Sequence, residues 1–309
     1  MIQEEIPAAL AGERLDRVVA LIAECSRSDA QALIGAGGVL VDGEPHPVGK
    51  LRLKEGQVVQ VDPTLLPSPT GPEADPTVEF TVVYADDHLI VVDKPAGLVV
   101  HPGAGNPSGT LVNGLLARFP EIVDVGESHR PGIVHRLDLG TSGLLAVART
   151  QRAYHELVDA LSNRDMGRVY RTLVWGHPAN PHGVIDAPIG RDHRDPMRMA
   201  VVVDGKPART RYHVLRHFRA PAEVTSLECR LESGRTHQIR VHLSAIGHPV
   251  VGDPTYGGVR SGVVSPRPFL HAARLELAHP VTREPMAFDS TMPDDLADIE
   301  ASLEEWPAD

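Results

Sequence analysis

Cysteine is nearly absent: Cys25 and Cys229 are the only two in 309 residues. That excludes a disulfide framework and a CxxC metal site, and makes a reduced cytoplasm the expected compartment. No apolar run approaches the ~20 residues of a membrane helix, so no membrane role is expected. The first residues, Met1-Ile2-Gln3-Glu4-Glu5, lack the basic-then-apolar order of a signal peptide. No GxxxxGK[ST] and no HExxH occurs. His237 and His242 are five apart, not the i, i+4 spacing of a helical zinc pair, so metal is not expected. Gly103 to Gly109 is spaced wrongly for a dinucleotide loop, and Gly140-Thr141-Ser142-Gly143 is not GxSxG. Lysine is also scarce. Only Lys50, Lys54, Lys94 and Lys206 stand among 30 Lys+Arg, leaving 26 arginines. Arginine is the better residue for bidentate phosphate contacts and base stacking, although a GC-rich genome produces the same ratio.

The net charge of −11 at first argues against a nucleic-acid partner. Its distribution changes that reading. Residues 1–62 hold six Lys+Arg against ten Asp+Glu, and 63–76 hold none against two. Residues 291–309 hold none against seven, whereas 77–290 hold 24 against 22 and are slightly basic. The acid sits mostly in the ends and the joint.

Five prolines (Pro63, Pro67, Pro69, Pro72 and Pro76) with Gly71 fall within residues 63–76. This composition favours an extended linker, roughly 40 Å long at about 3.1 Å per residue. Before it, residues 12–62 read as helix, helix, short strands. Leu15, Val18, Val19 and Ile22 recur at helical spacing, as do Ala30, Leu33 and Ile34, with Ser28 as a cap. Val39-Leu40-Val41 then meets the turn pair Asp42-Gly43. From 77 to 292, strand-like runs dominate, at Phe80–Tyr84, Leu89–Val92, Leu144–Ala148, Val169–Trp175 and Arg211–Leu215. Helical patterns lie at Leu111–Arg118 and Tyr154–Leu161, without strict βαβ alternation. The expected class is α+β with a mostly antiparallel sheet. The acidic tail, 293–309, is expected to be a solvated segment with room for a short helix from Leu296 to Leu303.

Two segments carry chemistry. In Gly132-Ile133-Val134-His135-Arg136-Leu137-Asp138, followed by Leu139-Gly140-Thr141-Ser142-Gly143, a polar burst interrupts apolar strands. An aspartate beside arginine there serves as nucleophile or base, or else caps a turn and pairs with Arg136. In Gly234-Arg235-Thr236-His237-Gln238-Ile239-Arg240-Val241-His242, Thr236 can cap a helix that Gly247 ends. Arg235 then sits just ahead of a positive helix terminus, or is an ordinary surface arginine.

Together these motifs resemble the RluA/RluD family of RNA pseudouridine synthases. Val92-Asp93-Lys94-Pro95-Ala96-Gly97-Leu98, His101-Pro102-Gly103, Arg168-Val169-Tyr170 and Gly205-Lys206-Pro207-Ala208 fit the same pattern over residues 77 to about 290. Residues 12–62 resemble, more loosely, an S4 RNA-binding domain, through Arg14-Leu15-Asp16-Arg17, Ser26-Arg27-Ser28 and Val39 to Gly43. The resemblance implies a catalytic domain with a central cleft and an activity that turns uridine into pseudouridine. The product is an isomer, so no cofactor is implied. Asp138 would be the catalytic carboxylate, Arg235 its ion-pair partner, and Tyr170 a stacking surface and proton acceptor. Arg136 would replace the flipped base, with His135 beside it in the substrate motif, and Ile239 would wall the pocket. Arg14, Arg17 and Arg27 would meet RNA. The implied target is large-subunit ribosomal RNA, with the ribosomal particle as context and a monomer as the default state. Transfer RNA is the alternative substrate.

Two departures stand out. Leu139-Gly140 replaces the polar pair usual after the aspartate, which leaves the loop open to repositioning. The S4-like unit carries a net −4, and Ser28 to Ala36 has no Lys or Arg. The altered Leu139-Gly140 pair motivates a second reading, a non-catalytic RNA-binding or ribosome-assembly protein. A glycosidase-like hydrolase ranks last, because no second carboxylate accompanies either motif.

Overall fold

The structure, a computed structural model, describes residues 1–25, 27–65, 71–103, 105–195 and 198–306. The chain divides into two compact units, residues 1–70 and 71–309.

The small unit contains β1 (Ile2–Glu5), α1 (Leu15–Ile22), α2 (Arg27–Gly35), β2 (Val39–Val41), β3 (Glu44–Pro45) and β4 (Val58–Val61). Its antiparallel sheet runs β1-β4-β2-β3. Strand β1, ahead of residues 12–62, pairs with β4 and joins the same compact unit. Leu15, Val18 and Val19 from α1 are buried with Ala30, Leu33 and Ile34 from α2, against Val39, Val41, Val59 and Val61. The apolar spacing that indicated two helices is the face that fills this core. α2 starts at Arg27, one residue before the expected Ser28 cap, and the Ser28 side chain lies outside the described residues.

Asp16 is fully buried and gathers three partners. Arg14 reaches it at 2.6 Å, Arg27 at 3.1 Å and Gln31 at 3.0 Å. Arg17 pairs with Glu13 at 3.0 Å. The three arginines expected on RNA thus each carry a carboxylate partner within the unit.

The large unit is α+β. Its elements are β5 (Thr81–Ala85), β6 (Leu89–Lys94), α3 (Leu111–Arg118), β7 (Ser142–Ala148), α4 (Gln151–Asn163) and β8 (Gly167–Trp175). Next come β9 (His182–Asp186), β10 (Ile189–Arg191), β11 (Met199–Val201), β12 (Arg209–Ala220) and β13 (Val224–Leu231). α5 (Gln238–Ala245), β14 (Leu270–Ala278), β15 (Pro285–Asp289), α6 (Asp294–Ala301) and β16 (Glu304–Glu305) complete it. Among the described residues, ten strands form one sheet with the path β16-β12-β13-β8-β14-β7-β6-β5; β15 adds to β14 and β9 to β12. Every pairing is antiparallel except β7 with β14. β7 is buried along its whole length, so its alternating faces are both apolar. A capping box between Thr110 and Asn113 starts α3.

Two stretches differ from expectation. Residues 66–70 of the Pro-rich segment lie outside the described residues. Its end is held: Asn113 donates to the Glu73 carbonyl at 2.7 Å, and the Asp75 amide donates to the Asn113 carbonyl at 2.9 Å. The acidic tail docks rather than floating. Leu296 is fully buried, Arg267 forks onto Asp295 at 2.6 and 2.9 Å, Arg216 meets Glu300 at 2.9 Å, and β16 extends β12. The sequence pattern of the tail looked solvated because its cationic partners lie about 30 to 80 residues upstream.

Asp16→Ala should destabilise the small unit by about 2 kcal/mol, since Arg14 and Arg27 are partly exposed and their attraction is screened. Hydrogen exchange of α1 and α2 amides in the full chain measures it. Hydrogen bonds from Arg14, Gln31 and Arg27 hold the Asp16 carboxyl far below its ordinary 3.8 despite burial. Its folded pKa is depressed, so the contribution is complete above that ordinary value and drains away as the pH falls below it. Protection of the two helices should follow that course in the native protein and not in Asp16→Ala.

Candidate active site

The loop ahead of β7 is pinned by backbone. Thr141 donates its amide to the Asp138 carbonyl at 3.0 Å, closing a turn. The Gly97 amide donates to the Leu139 carbonyl at 2.8 Å, and Arg267 donates to the Gly140 carbonyl at 3.0 Å. Residues 139 and 140 are thus held by their carbonyls, and the Leu139 side chain is exposed. That explains why the departure from the family's polar pair leaves a fixed loop. Ser142 and His271 hydrogen-bond at 3.0 Å across the parallel β7–β14 pairing. Gly143 has φ +113°, and a Cβ there would lie 2.3 Å from the Ala272 carbonyl oxygen, so the close approach requires glycine.

Asp138 is met by Arg240, not by Arg235. Arg240 Nη1 donates to Asp138 Oδ2 at 3.1 Å. The same guanidinium donates through Nε to Asp253 Oδ2 at 2.7 Å and through Nη2 to Asp253 Oδ1 at 2.9 Å. Asp253 is fully buried and also accepts the Thr255 amide at 2.9 Å. Burial opposes the charge of Arg240, but the Asp253 hydrogen bond and the Asp138 charge outweigh it, so its pKa is raised. The expected Arg235–Asp138 pair fails for a local reason. The N-cap of α5 is His237, in the left-handed region at φ +56°, so Thr236 does not cap it. Arg235 stays in the preceding loop and donates from Nε to the Pro207 carbonyl at 3.1 Å. Gln238 holds this loop, accepting from Ser233 Oγ at 2.8 Å and from the Arg235 amide at 3.1 Å. Ile246 and Gly247 end α5 as the sequence indicated. Helical spacing carried a signal for Arg240: it stands three residues before the buried Leu243, on the inward side of α5.

A cavity of about 440 Å³ opens here, lined by Asp138, Tyr170, Arg168, Ile239, Arg240 and Leu270 among others. Tyr170 and Ile239 are buried in its wall. Burial pushes the Tyr170 phenol up to about 12; the nearby Arg168 charge opposes this and Asp138 adds to it. The ring is therefore a neutral stacking surface at ordinary pH. Arg136 is exposed on the lining, with Nη1 3.3 Å from His101 Nε2, so it is not the partner of Asp138. His135 accepts the Ala146 amide at Nε2, at 3.0 Å, which ties the loop to β7. Burial, with the Arg168 charge, pushes His135 down to about 3 and keeps it neutral.

Lys94 ends β6 within the Val92–Leu98 motif. It is fully buried and donates to the Pro95 and Leu98 carbonyls at 2.8 and 2.9 Å. Burial pushes it down to about 7, against the attraction of Asp138. Its signal was a lysine at the end of an otherwise apolar strand. Among the described residues, no cluster of His, Cys, Asp or Glu is placed to hold a metal ion.

An α+β unit with an aspartate and a clamped arginine facing a nucleotide-sized cavity defines a carboxylate-centred enzyme site. Comparison with known proteins fixes the class. The RNA pseudouridylate synthase family matches residues 88–245. The chain is 45% identical to the "Ribosomal large subunit pseudouridine synthase D" of Xanthomonas campestris pv. campestris, covering 98% of this chain and 92% of that relative. It is 44% identical to the protein of the same name from Nitrosomonas europaea, over 99% and 89%. It is 47% identical to an "Uncharacterized RNA pseudouridine synthase" of Chloroflexus aurantiacus, over 97% and 93%. Among solved structures, human RNA Pseudouridylate Synthase Domain Containing 1 is similar, with TM-score 0.58 and 29% identity over 76% of this chain and 91% of that one. The chain belongs to the RNA pseudouridylate synthase family. It is an enzyme of that family, an isomerase.

Arg240→Met should lower kcat by on the order of 10²–10³-fold by leaving Asp138 without its donor. Arg235→Met should leave kcat within several-fold of the parent. Time courses of pseudouridine formation in RNA from a strain lacking the gene compare the two; a large loss in Arg235→Met beside a near-parental Arg240→Met would return the pairing to Arg235.

Proposed function

We propose that this enzyme isomerises uridines of large-subunit ribosomal RNA, with Asp138 as its catalytic carboxylate and Arg240 as the charged group that aims it. The observation that carries the substrate is the near-full-length similarity to two enzymes named for the large ribosomal subunit. The observation that carries the residue is the Asp138–Arg240 pair in the cavity.

The reaction breaks the N1–C1′ bond of uridine and forms C5–C1′. The C5 proton leaves and N1 gains one, so the product is an isomer and no cofactor is consumed. The target must leave its stack, which costs a few kcal/mol, and a ring such as Tyr170 offsets this by stacking. Ile239 supplies an apolar wall, and Arg136, on an exposed part of the lining, can occupy the place the flipped base leaves. The neutral phenol of Tyr170 supports stacking and hydrogen bonding to the sugar. His135 acts through the loop it ties to β7.

Residues 12–62 are proposed to be the S4-like RNA-binding part, with 63–76 joining it to the catalytic part. Arg14, Arg17 and Arg27 reach RNA there only by sharing their charge with Asp16 and Glu13. The phosphate term in binding is then small, and the affinity should respond weakly to salt. The proposed setting is the cytoplasm, with the enzyme acting as a monomer on ribosomal RNA or the ribosomal particle. No helix among the described residues is long and apolar enough to cross a membrane.

A pseudouridine map of RNA from a deletion strain, beside its parent and a strain expressing Asp138→Ala, tests the whole reading. Large-subunit positions should lose pseudouridine in the deletion strain and stay unmodified with Asp138→Ala. Loss confined to transfer RNA would move the enzyme to that substrate. Full modification by Asp138→Ala would remove Asp138 from the chemistry.

A further inference from the structure

The cavity is lined by six arginines, and five have an acceptor. Arg130 pairs with Glu127, Arg164 with Glu232, Arg136 with His101, Arg235 with the Pro207 carbonyl, and Arg240 with Asp138 and Asp253. Arg168 is the exception. It is only 7% exposed, yet among the described residues no hydrogen bond or ion pair reaches its guanidinium, and its Nε is buried without a partner. A buried cation with no partner is costly, and burial accordingly lowers its pKa. The guanidinium is also wedged in place. A Cβ on Gly234 would lie 2.8 Å from Arg168 Nη1, so the absence of a side chain at 234 leaves the room it occupies.

We infer that Arg168 donates hydrogen bonds to a carbonyl oxygen of the target uracil and holds the ring's negative charge after it leaves the ribose. This rests on the reading above, in which the sugar lies at Asp138 and the ring on Tyr170. Arg168 and Tyr170 are two residues apart on β8 and share one face. Tyr170 lies within electrostatic reach of both Arg168 and Asp138. With the sugar at Asp138 and the ring on Tyr170, Arg168 on the same face of β8 would meet the edge of the ring. Breaking N1–C1′ leaves the electron pair on N1, and conjugation spreads it to O2 and O4. A guanidinium aimed at either oxygen binds the detached anion more strongly than the neutral uracil of the substrate, which is the condition for accelerating the step. The charge is returned when C5 attacks C1′, the C5 proton leaves and N1 is protonated. A phosphate is the other anion a guanidinium recognises. It stays with the ribose, and the depth of Arg168 favours the base.

Total RNA from a strain lacking the gene serves as substrate, so the comparison does not depend on which RNA is modified. Arg168→Met should lower kcat by on the order of 10²–10³-fold with KM changed only a few-fold, and Arg168→Lys should recover part of the loss. Gly234→Ala keeps every charge but displaces the guanidinium, and should fall between them. Once the position is mapped, a transcript carrying 4-thiouridine or 2-thiouridine there weakens one acceptor at a time. One of the two should slow the parent enzyme and leave Arg168→Met no slower than it is on uridine. Thermal melting accompanies each variant; if Arg168→Met does not fold, Arg168→Lys and Gly234→Ala decide. The inference is overturned by a folded Arg168→Met with the parent's kcat. It is equally overturned by a loss confined to KM with a flatter salt dependence, which marks a phosphate contact, or by thio-substrates that slow both enzymes alike. Modification of some other RNA by the parent would overturn the ribosomal assignment while leaving the Arg168 comparison readable.

Discussion

Asp253 decides what Arg240 can do. A guanidinium presents its donors in a rigid plane, and the buried carboxylate of Asp253 takes Nε and one face of Nη2. Nη1 is left pointing at Asp138. Two buried or half-buried carboxylates therefore share one cation, and the pair nearer the cavity inherits its direction from the pair behind it. Removing charged groups from water is expensive, and further donors offset part of the cost at Asp253, whose Oδ1 also accepts the Thr255 amide at 2.9 Å. The turn that carries Asp253 is thus as much a part of the site as the loop that carries Asp138.

The elements that were readable are those whose apolar residues recur at the spacing of the element. Leu15 to Ile22 buries one face, as its spacing indicated, and Leu111–Arg118 forms the expected helix although it is buried nearly all round. Strands were readable as well, because β6, β7 and β8 contain runs of buried apolar residues. What could not be read depends on partners distant in sequence. The tail helix needs Arg267 and Arg216, and the first strand needs β4. Within the site, Asp138 was legible from its motif. Its partner was misplaced by five residues because one left-handed residue, His237, shifts where α5 begins. Nothing local announces that Arg168 would lack a partner, since that is a property of everything around it.

The arginine-rich composition takes on a definite meaning. In the small unit, Asp16 and Glu13 claim the arginines nearest α1, so the cations of a net-acidic unit are engaged within it. In the large unit, arginines are spent on fixing geometry: Arg240 on a carboxylate, Arg267 on a carbonyl, Arg149 on the Asp86 carbonyl. Planar donors with several fixed directions suit that work better than a flexible ammonium. The one buried lysine of the site, Lys94, caps two carbonyls instead.

Arg267 also links the order of synthesis to the order of assembly. Its guanidinium holds the Gly140 carbonyl, two residues from Asp138, while its own orientation is set by Asp295 on α6. α6 is translated after every strand of the sheet except β16. A nascent chain can therefore complete the central strands, and even place Asp138 beside Arg240, before the loop receives its last constraint. Through one guanidinium, the loop that carries Asp138 is therefore tied to a helix near the carboxyl-terminal end of the chain.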